Sequence, residues 1–300
     1  VSEPVQLIWV PPQGPADGAD TDAALSAAFT ALGVPHASVT GLYGHDLSRF
    51  GTVWCSVGSF LSHHVLRPWE GRRLADHVAA GGSVYLEGGD IWTQPDPITE
   101  LHAISGIAGL SPFSGTITSV AGTGQAGCDM APFSAGYSGN SFQVDRIGPT
   151  GPDAWTIWLR NSSSDGIGVF SRPPGTGGKI IGTSWFLGGY DGDMTSLVEQ
   201  YLSCLAPPGP GSDFIRSDVN GDGAFNLVDP IQVLTYLFVN GDLSCLDAAD
   251  FSDDDALNIA DPVGILTFLF AAGPPPPPPY PDCGADPEGT ALDCGDGGCP

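Results

Sequence analysis

Apolar positions in the N-terminal part of the chain fall into short unbroken runs separated by runs with helical spacing. VQLIWV at 5–10 is continuous and of strand length, and after a Gly/Pro-rich loop TDAALSAAFTALG repeats its apolar residues at helical intervals. GTVWCSVG predicts a second buried strand, EGRRLADHVAAGG an amphipathic helix ending at glycine, and SVYLEGGDIW a further buried strand. Strands without a polar face, alternating with helices, predict a parallel sheet covered on both sides. From about 112 to 186 the pattern changes to short strands between turn residues, among them TITSVAG, AWTIWLR, GIGVFSR and KIIGTSWF. DMTSLVEQYLSCL then predicts a last helix before the linker APPGPGSD at 206–213.

Beyond the linker the polar positions carry the pattern. DVNGDGAFNLVD, 218–229, places oxygen-bearing side chains at loop positions 1, 3, 5, 9 and 12: Asp218, Asn220, Asp222, Asn226 and Asp229. Gly223 stands at position 6 and the Ala224 carbonyl at position 7, the arrangement that a hard cation of calcium's size requires. Thirty-two residues later DFSDDDALNIAD repeats it with Asp250, Ser252, Asp254, Asn258 and Asp261, the Ala256 carbonyl at position 7, and Asp255 in place of the turn glycine. The repeat continues past each loop, since DPIQVLTYLF aligns with DPVGILTFLF without a gap. Pro230 and Pro262 fall in a first helical turn, and Gly241 and Gly273 follow the last apolar residues as stops. Each unit predicts a calcium loop followed by a short apolar helix, two calcium ions in all.

These loops resemble those of dockerin type I modules over residues 213–273. The resemblance implies a small calcium-folded module that joins an extracellular protein to a scaffold through a cohesin; the partner expected is such a cohesin-like scaffold or, on the reading set out below, another copy of the chain. Cellulosomal dockerins carry a Ser/Thr-type pair at loop positions 10 and 11; here Leu227-Val228 and Ile259-Ala260 stand there, and neither helix carries Lys or Arg. LADHVAAGGSVYLEGGDIW and KIIGTSWFLGGYDGDMTSLVEQYLSCL resemble segments of class I glutamine-amidotransferase-like domains in secreted bacterial proteins, a likeness spanning roughly 5–205. It implies a flavodoxin-like α/β fold. Catalytic members have a Cys after the strand represented by SVYLEGG, whereas this chain has Glu87-Gly88-Gly89-Asp90, so a non-catalytic scaffold is expected. The organisation expected is a scaffold domain at 1–205, a linker at 206–213, a small helical calcium domain at 214–273, and a polyproline and Cys-rich tail at 274–300.

Charge sharpens the division. Residues 1–211 carry 18 acidic and 8 basic side chains, and residues 212–300 carry 16 acidic and 1 basic. Such a C-terminal surface repels itself without cations and excludes nucleic acid as a partner. No run of 18 apolar residues is present, so no membrane-spanning helix is expected, and Val1 in place of Met suggests a processed chain. Seven cysteines, including Cys245, Cys283, Cys294 and Cys299, suit an oxidising, extracellular or cell-surface location. The odd count leaves one thiol over, and Cys55, beside apolar Val53-Trp54, is the expected buried free one.

Catalytic patterns are sparse. Glu87 and Asp90 lie at the C-terminal end of a predicted parallel strand, where ligands bind in such folds, and two carboxylates there could do acid/base work. His63-His64 reads as a solvated helix start and GTGQAG at 122–127 as a turn. Pro274–Pro279 predicts a polyproline II rod, serving either as a ligand for an aromatic groove or as a spacer folded against the calcium module and tied by Cys283. The leading expectation is an extracellular non-catalytic structural protein that attaches or assembles through its calcium module, with self-assembly into a surface polymer or filament as one form. The alternatives are a secreted hydrolase or carbohydrate-acting enzyme tethered by its dockerin, and a glycan-binding module using exposed Trp and Tyr.

Overall fold

The computed structural model describes residues 5–11, 21–58, 64–93, 97–111, 116–125, 128–139, 144–151, 153–161, 163–174, 176–206, 213–239, 241, 243, 245–254, 256–284, 292 and 294. The chain divides into two compact units, Val1–Pro207 and Pro208–Pro300. His63, Asp255, Cys299, the Ala126-Gly127 part of GTGQAG and most of the linker lie outside the described residues.

In the first unit the elements follow the order β1 (Val5–Trp9), α1 (Thr21–Leu32), β2 (His36–Val39), β3 (Phe50–Ser56), α2 (Pro68–Ala79), β4 (Ser83–Glu87), α3 (Glu100–Ile104), β5 (Ile107–Ser111), β6 (Ser119–Gly122), β7 (Ser134–Gly136), β8 (Arg146–Pro149), β9 (Ala154–Arg160), β10 (Gly166–Ser171), β11 (Ile180–Thr183) and α4 (Met194–Leu205). Among the described residues, nine strands form one sheet in the order β2-β1-β3-β4-β11-β10-β9-β6-β7. Its first five strands are mutually parallel, in the 2-1-3-4-5 order of flavodoxin-like folds with β11 in fifth place. Every later pairing is antiparallel, so the sheet is mixed where the sequence pattern predicts a parallel one. The reason is that β9, β10 and β11 are joined by short connections, which permit only antiparallel neighbours.

Strand alternation sends Ile8, Trp54, Tyr85 and Ile181 to one face, against α1 and α4. Leu7, Trp9, Val53, Cys55, Val84, Leu86 and Ile180 go to the other, against α2 and α3. Both faces of β4 and β11 are therefore buried, which is why their sequences read as continuous apolar runs. SVYLEGGDIW is extended only through Glu87, and its remainder turns away as a loop. Cys128 and Cys204 form a disulfide that ties the β6–β7 region to α4, and Cys55 is a buried free thiol. No helix among the described residues is long and apolar enough to cross a membrane.

The second unit contains α5 (Val228–Val239), α6 (Leu246–Ala249) and α7 (Ala260–Ala271). α5 and α7 pack together around Val219, Val233, Ala249 and Ile265. Gly241 and Gly273 follow the two helices and donate to the Thr235 and Thr267 carbonyls at 3.1 and 3.0 Å, but Ala272, not a glycine, takes the left-handed conformation at the end of α7. The proline segment is not a free rod: Pro276 and Pro279 are buried, and Tyr280 packs edge-on against Phe225 and Phe268. Cys245 is disulfide-bonded to Cys294, and Cys283 is also disulfide-bonded.

Candidate metal centre

Each predicted loop closes on itself through its own side-chain oxygens, and the two do so alike. In the first, Asp229 accepts the amides of Val219 at 2.9 Å and Asn226 at 2.7 Å, joining position 12 to positions 2 and 9. Asp218 accepts the amides of Asp222 and Gly223, Asp222 that of Ala224, and Asn226 that of Val228. Gly221 and Gly223 both have positive φ, at +66° and +76°, which lets the chain wind tightly between the ligand positions. In the second loop Asp261 accepts from Asn258 at 2.8 Å and from Ser252, Asp254 from Ala256, and Asn258 from Ala260. The Asn226 and Asn258 amides donate to the Ala224 and Ala256 carbonyls at 2.6 and 2.7 Å, so even this contact is repeated. At position 4, where the first loop has Gly221, the second has Asp253 with φ +59°.

The donor set fits a hard cation. All predicted ligands are carboxylate, amide, hydroxyl or carbonyl oxygens, and Asp218, Asp229, Asp250 and Asp261 are buried. Burial raises the carboxyl of Asp229 above its ordinary range, against the pull of the amides it accepts. Asp261 is raised as well, first by burial and further by neighbouring Asp250. Carboxylates that are costly to ionise where they stand are stabilised by a divalent ion brought among them. Among the described residues no three His, Cys, Asp or Glu side chains converge as a metal-binding group; the loop amides hold these oxygens.

Sequence reasoning missed Arg216. It is the one basic residue of 212–300 and is fully buried. That isolation in an acidic stretch was the available signal. Its guanidinium reaches the second loop and the tail, and also lies over the Phe214 ring. Leu227, Val228 and Ile231, and their repeat counterparts Ile259 and Val263, remain exposed together with Phe238, Val239 and Phe270. The two loop–helix units therefore bury Val233 and Ile265 and turn a second apolar set outward.

In the first unit Glu87 closes β4 but faces inward, wholly buried. Tyr85 Oη and the Leu187 amide each donate to Oε2 at 2.8 Å, and the Thr21 and Ser56 hydroxyls approach the same carboxyl. Thr21 is the first residue of α1 and itself accepts from the Gly188 amide. The start of α1, at the C-terminal ends of the parallel strands, thus faces the buried Glu87 carboxyl. His64 is not a solvated helix start: it is half-buried, with Nε2 2.8 Å from Glu70 Oε2, because Glu70 in the first turn of α2 folds back to meet it and the Arg67 amide.

No family model matches this chain, and no curated protein does. Among solved structures it is similar to a ThuA-like protein from Parabacteroides merdae, with 11% identity over 70% of this chain and 94% of that one and a TM-score of 0.48. A β-galactosidase from Rahnella sp. R3 shares 15% identity over 66% of this chain with a TM-score of 0.46, and the chain spans 30% of its length. PurLQS from Thermotoga maritima shares 11% over 67% of this chain and 97% of that one, with a TM-score of 0.38.

Proposed function

We propose that this is an extracellular, non-catalytic structural protein whose C-terminal unit is a dockerin-like calcium module that binds two calcium ions and attaches the chain to another protein. The observation that carries the reading is the duplicated loop: the same hydrogen bonds recur between positions 5 and 7, 7 and 9, 9 and 11, and 9 and 12 of both copies. Calcium bound at both sites would rigidify the loops that open α5 and α7 and so fix the spacing of their exposed apolar side chains.

The attachment surface is that exposed set, led by Leu227, Ile231, Ile259 and Val263. Contiguous apolar surface rimmed by charge marks interaction sites in soluble proteins. The unit's exposed charge is acidic, since its one Lys or Arg side chain is buried. Two such units would repel if they met face to face, so a partner presents an apolar centre with a basic surround, or is another copy contributing a different surface. Disulfides in both units favour an oxidising location.

Titration calorimetry tests the reading. Two calcium ions per chain are expected, with a higher unfolding temperature for the second unit; no uptake, or no stabilisation, refutes it.

A further inference from the structure

The segment leading into the first loop is held between the tail and the second loop. Phe214 N donates to Gly284 O at 3.0 Å and Gly284 N donates to Phe214 O at 3.1 Å, the Arg216 amide donates to Pro279 O, and Ser217 N donates to Ala248 O at 2.7 Å. The Arg216 guanidinium spans these partners. Nε donates to Pro278 O at 3.1 Å, Nη1 to Asp250 O at 2.9 Å and to the Asp247 side chain and carbonyl, and Nη2 stands 2.8 Å from Asp253 Oδ1. Asp250 is position 1 of the second loop, and Asp218, two residues beyond Arg216, is position 1 of the first.

From this geometry we infer that Arg216 is a positioning residue that couples the two calcium sites to each other and to the proline tail, an inference that rests on the calcium reading above. An ion in the second loop fixes the backbone of Asp250 and Asp253. Their carbonyl and carboxylate fix the guanidinium fork, and the fork fixes the strip that delivers Asp218. The ordering cost of residues 214–218 is thus met once for both ions, so the second ion binds a site already arranged, which is positive cooperativity without direct contact between ions. Only a planar fork with five donors in fixed directions reaches a tail carbonyl, a loop carbonyl and two carboxylates together. Asp253 sits at a non-ligand position, and its left-handed backbone aims its carboxylate at Arg216 where the first loop needs only Gly221.

The test uses the full chain and two variants, Arg216→Lys and Asp253→Gly. Lysine keeps the charge and loses the fork; glycine keeps the left-handed backbone and loses the carboxylate. Calcium titration and hydrogen exchange at the Phe214, Arg216, Ser217 and Gly284 amides are measured with calcium and with chelator. The parent chain should bind two ions cooperatively. Both variants should lose the cooperativity, bind the second ion at least about fivefold more weakly, the low end of ordinary coupling between sites, and exchange those amides about tenfold faster. Asp253→Gly decides the matter if Arg216→Lys does not fold. Independent binding in the parent, or variants with unchanged titration and exchange, overturn the coupling and leave the calcium reading standing. Weakening in Asp253→Gly alone would mean that net charge, not the fork, acts on the second loop, and also overturns it. No calcium uptake by the parent overturns the calcium reading itself, and the coupling with it.

Discussion

The ring of Phe225, at position 8 of the first loop, lies 5.4 Å from the ring of Phe268 in α7 with the two planes 7° apart, and Tyr280 of the tail closes edge-on over both. Loop one, the second helix and the tail therefore share one aromatic contact.

Phe225→Ala should destabilise the second unit by about 2–3 kcal/mol, below the usual cost of a fully buried Phe because this ring is only partly buried. For a unit of this size that lowers the unfolding temperature by about 10 °C. All seven tryptophans lie in Val1–Pro207, so calorimetry follows the second unit while tryptophan fluorescence should show the first unchanged.

Asp229→Ala should remove one of two calcium ions, and Asp261→Ala the other. Each Asp also closes its loop by accepting an amide of the residue at position 9, so stability without calcium should fall as well. With free calcium at 100 times the dissociation constant, each retained site should add about 2.7 kcal/mol. Calorimetric stoichiometry and chelator-dependent unfolding check both numbers.

Exposed apolar residues can be removed without loss of fold. Ile231→Ser and Val263→Ser should each change unfolding by no more than about 0.5 kcal/mol, as befits surface positions. Together they should abolish calcium-dependent association, measured by sedimentation velocity or by capture of the partner. Retained association would move the interface elsewhere.

Glu87 gives the first unit a pH signature. Burial raises its carboxyl above the ordinary 4.5, outweighing its hydrogen bonds to Thr21, Leu187, Ser56 and Tyr85. The folded unit then holds a proton that the unfolded chain has already released. This contribution is fully present below pH 4.5 and is lost as pH rises through the folded value. Glu87→Gln cannot lose it, so its unfolding temperature relative to the parent should rise with pH across that window. A constant difference would show that Glu87 titrates normally.

The sequence by itself determined the loop–helix repeat, the buried strands, the helices α1, α2 and α4, and the free Cys55. These are short-range properties: a twelve-residue loop carries the spacing of its side-chain oxygens within itself, and a strand buried on both faces is apolar at every position. Only the tertiary structure decided where β11 goes. KIIGT reads as one more short strand, yet it enters the parallel array beside β4, nearly a hundred residues earlier in the chain. The fate of Glu87 was equally hidden, because the Leu187 amide that engages it lies 100 residues away. Arg216 and the tail belong with these: prolines 274–279 favour an extended rod locally, and what the end of that segment meets is a guanidinium 62 residues distant and, through Tyr280, the ring pair of Phe225 and Phe268. Backbone preference is written in neighbours, whereas a buried cation takes whichever oxygens the fold brings to it.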